Sequence, residues 1–325
     1  MITPVALSHR TAWLYHHSAG REVVRRRVDS YGTWDEGLGE RGVAVRVRRF
    51  LLDCGVPSRE LGALDVLSSR TYERGTGADF RFHVLGGRSW EGLLAHAAPD
   101  VYVADEPLCL VQAATWMSEL ELLEYAFELL GDYEQVLGEN GWTYVERPRR
   151  HAKESLAVAL DGLSGVRGVA MARRALSRAC EGSRSPMETA LAMMVVAPRP
   201  LGGLGYSGVI MNERVDVPRE LRRHYSSPYF ELDIYAPRHH AALEYDGDDH
   251  ASLARRTHDV DRASALASMG IEARNVTAQH FSRQLELHRV LAWFADRLGL
   301  HIDMDADFQR RQNALREFAI RRWRG

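Results

Sequence analysis

Lysine is almost absent from this 325-residue chain: Lys153 is the single lysine, and every other basic residue is arginine. Cysteine is also scarce, and the three cysteines form no CxxC pair, which argues against a zinc knuckle, a redox motif or a disulfide framework. No apolar run approaches the roughly 20 residues that span a bilayer, and the N-terminus lacks a signal-peptide pattern. We therefore expect a soluble cytoplasmic protein with no membrane partner.

An excess of charge of one sign is also missing. The formal net charge is -2, with 45% hydrophobic and 26% charged residues, so no overall field indicates a polyanionic partner. At roughly 100 to 200 residues per domain, the length predicts two domains. We place an N-terminal α/β region of unknown role over residues 1–150, a second domain over 151–300 and a basic C-terminal helix over 301–325.

The N-terminal region combines strand-like and helix-like patterns. The runs VAVRVRRFLL and FRFHVL have the composition of β-strands. From Glu106 the period becomes helical: PLCLVQAATWM predicts one helix, and Ser118 followed by Glu121 predicts a capping box at the start of a second. No repeat is present, and the pattern alone indicates no function for this region.

Two alternating segments in the C-terminal half predict a β-hairpin. PYFELDIYA and ALEYDG both alternate apolar and polar residues, and residues 237–240 form a loop between them. A four-residue loop pairs Tyr235 with Ala242 and therefore sets Asp233 directly opposite Glu244. Their β-carbons would then lie roughly 4.5 to 5.5 Å apart on one face of the sheet.

The elements around this hairpin predict the fold class. SPMETALAMMVV has the signature of a capped helix, a helix is predicted from Ser252 to Met269, IEARNVT is a strand, and a long helix runs from Gln279 to Leu298. This order favours an α/β or α+β domain with a mixed sheet flanked by helices.

The facing carboxylates indicate a cation. Asp246 shares the strand face of Glu244, so three acidic groups lie close together, and like charges opposite each other destabilise a sheet. Mg²⁺ binds through one or two carboxylates and completes its shell with water and phosphate oxygens, which permits metal-assisted phosphodiester hydrolysis. The alternative is a solvated polar face that Arg238 or a helix arginine neutralises.

The motifs of this region carry a resemblance. They are SPMET, an aspartate on a strand (Asp233), the run EYDGDDH from Glu244 to His250, then Asp259 and Arg262 on the next helix, and a strand that closes with NVT. Together they resemble the branch of the PD-(D/E)xK restriction-endonuclease superfamily that includes very-short-patch-repair endonucleases. The resemblance covers somewhat under a third of the chain.

This resemblance implies a set of functional residues. Asp233 and Glu244 would be the metal-binding acidic pair, with Asp246 as a further ligand or its near neighbour, and the metal would be Mg²⁺ or Mn²⁺. Glu188 would be the acidic residue that the preceding helix contributes. His250 would orient or deprotonate a water molecule or contact the phosphate. For Glu188 an alternative stays open, because Ser185-Pro-Met-Glu188 is also a complete capping-box sequence.

One departure from the superfamily pattern leaves activity open. Asp246 occupies the position of the motif lysine, two residues after Glu244, and no lysine lies downstream. Any activity must therefore rely on His250, an arginine or the metal to manage the attacking water. The rivals are a nuclease-fold DNA-binding regulator or antitoxin-like protein that does not cut, and a protein whose carboxylates are merely solvated.

The expected partner is DNA. Arg255, Arg256 and Arg262 are candidate phosphate contacts, although Arg262 has the spacing for an intrahelical ion pair with Asp259. SHRTA and CLVQAATWMSELELLEYAFELLGDY more weakly resemble a region found in abortive-infection antitoxin-like proteins. This resemblance implies a bacterial defence or repair system, with a partner protein from a defence operon. Cleavage of both DNA strands commonly requires two active sites, so a homodimer is a further expectation.

Overall fold

The computed structural model describes residues 5–20, 40–68, 75–76, 78–85, 92–225, 227–247 and 262–323. The chain divides into two compact units. Unit 1 comprises Met1–Leu129, Glu134–Val145 and His151–Ser177, and unit 2 comprises Leu130–Tyr133, Glu146–Arg150 and Arg178–Gly325. Residues 151–177 thus lie in unit 1, whereas the sequence-based boundary near residue 150 assigns them to the second domain.

Unit 1 combines helices with a mixed sheet. Its helices are α1 (His9–His16), α2 (Glu40–Asp53), α3 (Glu106–Ala113), most of α4 (Glu119–Leu130), α5 (Lys153–Gly162) and most of α6 (Val169–Arg178). Its strands are β1 (Val5–Leu7), β2 (Leu64–Leu67), β3 (Gly75–Thr76), β4 (Phe80–His83), β5 (Leu94–Ala98) and β6 (Val101–Ala104), in the spatial order β3-β4-β2-β1-β6-β5. A two-stranded hairpin follows, with β7 at Tyr133–Gly138 and β8 at Gly141–Glu146.

The run VAVRVRRFLL is helical, so its interpretation as a β-strand is wrong. It lies inside α2, where Val43, Val47 and Leu51 are fully buried. Val45, which an alternating strand would bury together with Val43 and Val47, is 63% exposed. So short a run of valines and arginines fits both the repeat of a strand and the repeat of a helix. The burial of Val43, Val47 and Leu51, spaced four residues apart, identifies it as a helix. The strand prediction for FRFHVL is confirmed by β4.

The predicted starts of α3 and α4 are confirmed, whereas the helix start predicted at Ser252 lies outside the described residues. At α4 the backbone N–H of Ser118 donates to Glu121 Oε2 at 2.8 Å, and the N–H of Glu121 donates to Ser118 Oγ at 3.3 Å, which is a reciprocal capping box. Asp105 caps α3 by accepting the N–H of Leu108 at 3.0 Å.

Unit 2 builds a mixed sheet between helices, as the fold-class prediction expects. Its helices are α7 (Pro186–Val196), α8 (described over residues 262–268), α9 (Ala278–Ser282), α10 (Gln284–Arg297) and α11 (Ala306–Ala319). Its strands are β9 (Ile210–Asp216), β10 (Tyr229–Ala236), β11 (Ala241–Asp246) and β12 (Glu272–Thr277). Among the described residues the sheet order is β12-β11-β10-β9, with β9, β10 and β11 antiparallel and β12 parallel to β11. The α/β (α+β) class is confirmed.

The long helix predicted after β12 is divided in two. Thr277 caps α9, and Arg283, in extended backbone conformation, separates α9 from α10.

Helix α8 packs against the sheet, because its residues Ala265 and Leu266 are buried in a cluster with Phe230 and Ile271. In the part of the chain that the structure describes, no helix combines the length and apolar character needed to cross a bilayer.

The C-terminal helix α11 packs on α7 and on the turn that follows it, and Gly202 permits this contact. Gly202 has φ +93°, and an added β-carbon would collide with the backbone of Arg311. We expect Gly202→Ala to lower the free energy of unfolding by about 3 kcal/mol, through both clash and backbone strain. Gly299→Ala is the matched control, because Gly299 also has positive φ (+65°) but open space around it.

Chemical denaturation of the two variants measures this effect. Gly299→Ala should lose only about 1 kcal/mol, the cost of a left-handed backbone for an L-residue. Equal losses in the two variants would show that α11 does not approach Gly202 as closely as described here.

Candidate functional site

The predicted hairpin and its register are confirmed. Tyr235 pairs with Ala242, and residues 237–240 form the turn. Continuing this antiparallel register by two residues sets Asp233 opposite Glu244, on the face that the alternation predicts. The backbone N–H of Tyr245 donates to Asp233 Oδ2 at 2.7 Å, which ties the two strands together at this point.

The neighbouring strands extend this pair into a row of polar side chains. On β9 the register places Asn212 beside Asp233, because the pairs Leu232–Glu213 and Ile234–Met211 bracket it. On β12, Asn275 pairs with Glu244 in parallel register. Asn212, Asp233, Glu244 and Asn275 all line the same cleft. We call these four residues the polar row; each strand of the described sheet contributes one member.

The carboxyl group of Asp233 experiences opposing electrostatic effects within the polar row. The pKa of its carboxyl is raised to about 7: burial raises it most, the hydrogen bond from the Tyr245 N–H lowers it, the negative charges of Glu188 and Glu244 raise it, and the charge of Arg262 lowers it. Loss of hydration disfavours the charged form of a carboxyl group, and like charges nearby act in the same direction. A cation at Asp233 would therefore relieve an unfavourable charge.

Arg262, predicted as a phosphate contact, pairs with Glu244 in this structure; its role toward phosphate stays a prediction. Its Nε donates to Glu244 Oε2 at 3.0 Å, and its Nη2 donates to the Glu231 carbonyl oxygen at 2.5 Å. Nη2 also lies 2.9 Å from Glu244 Oε1, but Oε1 accepts no hydrogen bond from the described residues, so this contact is only electrostatic. The guanidinium thus supplies part of the positive charge that the carboxylates need.

Glu188 has the role of a helix cap in this structure. The N–H of Glu188 donates to Ser185 Oγ at 3.1 Å, and Glu188 Oε2 accepts the N–H of Arg184 at 2.9 Å. Oε2 also accepts Asn212 Nδ2 at 2.7 Å, which links α7 to the polar row. Its charge raises the pKa of Asp233, so Glu188 lies at the edge of the acidic group. Its role as a catalytic acid stays a prediction.

Glu231 and Arg184 belong to the site but are absent from the sequence-based set. Arg184 Nη1 donates to Glu231 Oε2 at 2.6 Å, and this guanidinium lowers the pKa of Glu231. The signal for Glu231 is present in the sequence, because it precedes Asp233 by two residues and so shares its strand face. Arg184 gives no such signal, since it reaches the sheet from the loop before α7.

The polar row opens into a cleft of about 940 Å³. Asp246, at the end of β11, lines it, in agreement with its predicted position beside Glu244. Arg274 and Arg297 also line it and were not expected. Arg297 pairs with Glu272 at 3.0 Å, whereas Arg274 stacks over Trp293 at 4.4 Å and has no carboxylate partner among the described residues. The cleft therefore presents carboxylates beside arginines.

These residues fit one divalent cation held by two carboxylates. Glu244 Oε1 is buried and accepts no hydrogen bond within the described residues, and Asp233 faces it across the hairpin. The described residues contain no group of three or more histidine, cysteine or acidic side chains arranged as a metal site. Mg²⁺ needs no such cage, because it binds through one or two carboxylates and keeps several waters.

Three predicted site residues lie outside the described residues. They are His250, Arg255 and Arg256, and Asp259, the expected partner of Arg262, lies there as well. Their predicted roles stay predictions. Comparison with protein-family models, with curated proteins and with solved structures found no match for this chain.

Proposed function

We propose that unit 2 hydrolyses phosphodiester bonds of DNA with Mg²⁺ or Mn²⁺ in the cleft of the polar row. The observation that carries this proposal is the opposition of Asp233 and Glu244 at the floor of a cleft that arginines also line. Carboxylate oxygens suit a hard divalent cation, and guanidinium groups suit phosphate oxygens. Carboxylates and guanidinium groups together therefore suit a phosphodiester whose oxygens contact a metal ion.

The acidic and the basic residues of the cleft would have different roles. Asp233 and Glu244 would hold the cation, with Asp246 as the further acidic group at the rim. Arg274 lies on the opposite face of β12 from Asn275 but still lines the cleft beside Trp293, and it would bind a backbone phosphate away from the metal, positioning the strand without reading its sequence. Bound Mg²⁺ supplies an activated water and charge stabilisation at the scissile phosphate. His250 stays the candidate that orients this water.

The experiment is a cleavage assay on supercoiled plasmid and on labelled duplex DNA, in Mg²⁺ and in EDTA. We expect cleavage that requires Mg²⁺ and that Glu244→Gln lowers at least about a hundred-fold, because several kcal/mol of charge stabilisation depend on the cation. Glu213→Gln is the matched control: Glu213 lies on β9 but pairs with Leu232, on the other face of the sheet. Cleavage that survives Glu244→Gln would reject this site.

A second candidate function is DNA binding without cleavage. The pairing of Arg262 with Glu244 favours it, because a guanidinium already neutralises one of the two carboxylates, and the motif lysine is absent. The same DNA substrates separate the candidates. A non-cutting protein binds the duplex in EDTA and leaves it intact when Mg²⁺ is added, whereas a nuclease cuts it.

The proposed setting follows from the resemblance and not from the site geometry. We place the activity in the cytoplasm, in a bacterial defence or repair system, with DNA as the partner. The homodimer and the partner protein of a defence operon are part of this proposal.

A further inference from the structure

Unit 1 contains a cavity of its own, of about 660 Å³. It lies where α1 begins, where β2 and β4 end, and beside the turn at residues 165–167. The apolar side chains of Leu67 and Phe82 line it together with polar groups. Pockets of roughly 300 to 1,000 Å³ hold small organic ligands. The cavity is therefore large enough for a metabolite-sized molecule.

Gln112 lines this cavity and carries an unused hydrogen-bond donor. The residue lines the cavity and is only 2% exposed. Its Oε1 accepts the backbone N–H of His9 at 2.8 Å, and this bond fixes the orientation of the amide. Its Nε2 is buried and has no hydrogen-bond partner among the described residues. A buried donor without a partner is costly, so an acceptor from a ligand would stabilise this arrangement.

Two stacked imidazole rings line the cavity beside this donor. His9 and His83 stack with centroids 3.6 Å apart, and His83 Nε2 is 2.8 Å from Asp65 Oδ1. Burial, with His83 as the next cause, lowers the pKa of His9 to about 3, so its ring is neutral at pH 7. Asp65 also contacts Arg81 Nη1 at 3.3 Å. Its charge is thus paired within the protein.

Arg167 supplies the positive charge. It is exposed, lines the cavity, and forms no ion pair with the residues that the structure describes. Thr115 completes the polar part, and its hydroxyl donates to the carbonyl oxygen of Gln112, so it can only accept a further hydrogen bond. Donors and positive charge therefore dominate the polar side of the cavity, and no acidic side chain lines it among the described residues.

We propose that this cavity binds a small organic oxyanion, a carboxylate or a phosphate monoester, with an apolar body. The oxyanion accepts hydrogen bonds from Gln112 Nε2 and from the Arg167 guanidinium, and the apolar body lies against Leu67 and Phe82. A guanidinium and an amide together match the acceptor geometry of either oxyanion. The site is independent of the proposed nuclease cleft, because all of its lining residues belong to unit 1.

The test uses the full chain with benzoate and phenyl phosphate as probes and neutral benzyl alcohol as the uncharged comparison. Calorimetric titration measures affinity, and the ¹⁵N side-chain amide resonance of Gln112 reports contact at the site. Gln112→Glu keeps the acceptor for the His9 N–H but removes the donor and adds a repelling charge. Arg167→Gln changes an exposed residue and keeps the proposal testable if Gln112→Glu does not fold.

We expect at least one of the two anions to bind, to shift the Gln112 amide resonance, and to lose affinity about tenfold or more in each variant. The tighter probe identifies carboxylate or phosphate as the preferred oxyanion. Arg174→Gln, an exposed arginine of α6 outside the cavity, is the matched control and should bind as the parent does. Absence of binding by both anions, equal binding of benzyl alcohol, or full affinity in Arg167→Gln would overturn the proposal.

Discussion

Replacing Asp233 with asparagine should abolish Mg²⁺-dependent cleavage and, at the same time, stabilise the protein at pH 8. The amide is nearly isosteric with the carboxyl group and can still accept the N–H of Tyr245, so the hairpin is retained. It carries no charge to hold a cation. We expect the cleavage rate to fall at least about a hundred-fold, as expected when several kcal/mol of charge stabilisation are lost.

The stability gain has a defined pH dependence. Without metal, the pKa of Asp233 is about 7 in the folded protein, against its ordinary value of 3.8, so between these values the folded protein retains a proton that the unfolded chain has lost. The stabilising contribution of Asp233 is thus greatest below pH 3.8 and is lost as the pH rises through 7. Asparagine avoids this loss, and we expect a gain of about 2 kcal/mol at pH 8 that disappears near pH 4.

Urea denaturation from pH 4 to pH 8 in EDTA measures this gain, and the plasmid assay measures cleavage. Asp216→Asn is the control, because Asp216 is an exposed carboxylate on β9 that pairs with Arg214. It should change neither activity nor the pH profile. A pH-independent stability difference for Asp233→Asn would show that its carboxyl is not buried as described, and unchanged cleavage would exclude it as a metal ligand.

The hairpin at the centre of the site could be predicted because its signals are local. Strict alternation sets which side chains share a face, and the length of the loop at residues 237–240 sets the register. The pairing of Tyr235 with Ala242 follows from these two facts alone. Where the local signal fits two periods, as in VAVRVRRFLL, only burial within the folded unit distinguishes the helix α2 from a strand.

The charges around the hairpin could not be predicted in the same way. Arg262 reaches Glu244 because α8 packs Leu266 into the core, and neither helix placement nor rotamer follows from spacing along the chain. Arg274 and Trp293 come together from β12 and α10. In unit 1, Gln112 and His9 are separated by about a hundred residues and meet only through tertiary contacts. Local patterns therefore give the carboxylates of a site more readily than the partners of those carboxylates.

Removing Arg262 should reveal whether a cation and this guanidinium compete for Glu244. Their side chains are 28% and 14% exposed, so Arg262→Ala leaves a largely buried carboxylate without its partner. In EDTA we expect the free energy of unfolding to fall by about 2 kcal/mol, below the cost of breaking a fully buried pair because both groups retain some water. Arg214→Ala, which breaks the exposed pair with Asp216, should cost no more than about 0.5 kcal/mol.

The affinity for Mg²⁺ then distinguishes competition for Glu244 from the simple loss of a contact. If the cation and Arg262 neutralise the same carboxylate, the variant binds Mg²⁺ about tenfold more tightly than the parent, since no guanidinium must be displaced. Added Mg²⁺ should therefore raise the melting temperature of Arg262→Ala more than that of the parent or of Arg214→Ala. Equal shifts in all three proteins would mean that the cation and Arg262 do not compete for Glu244.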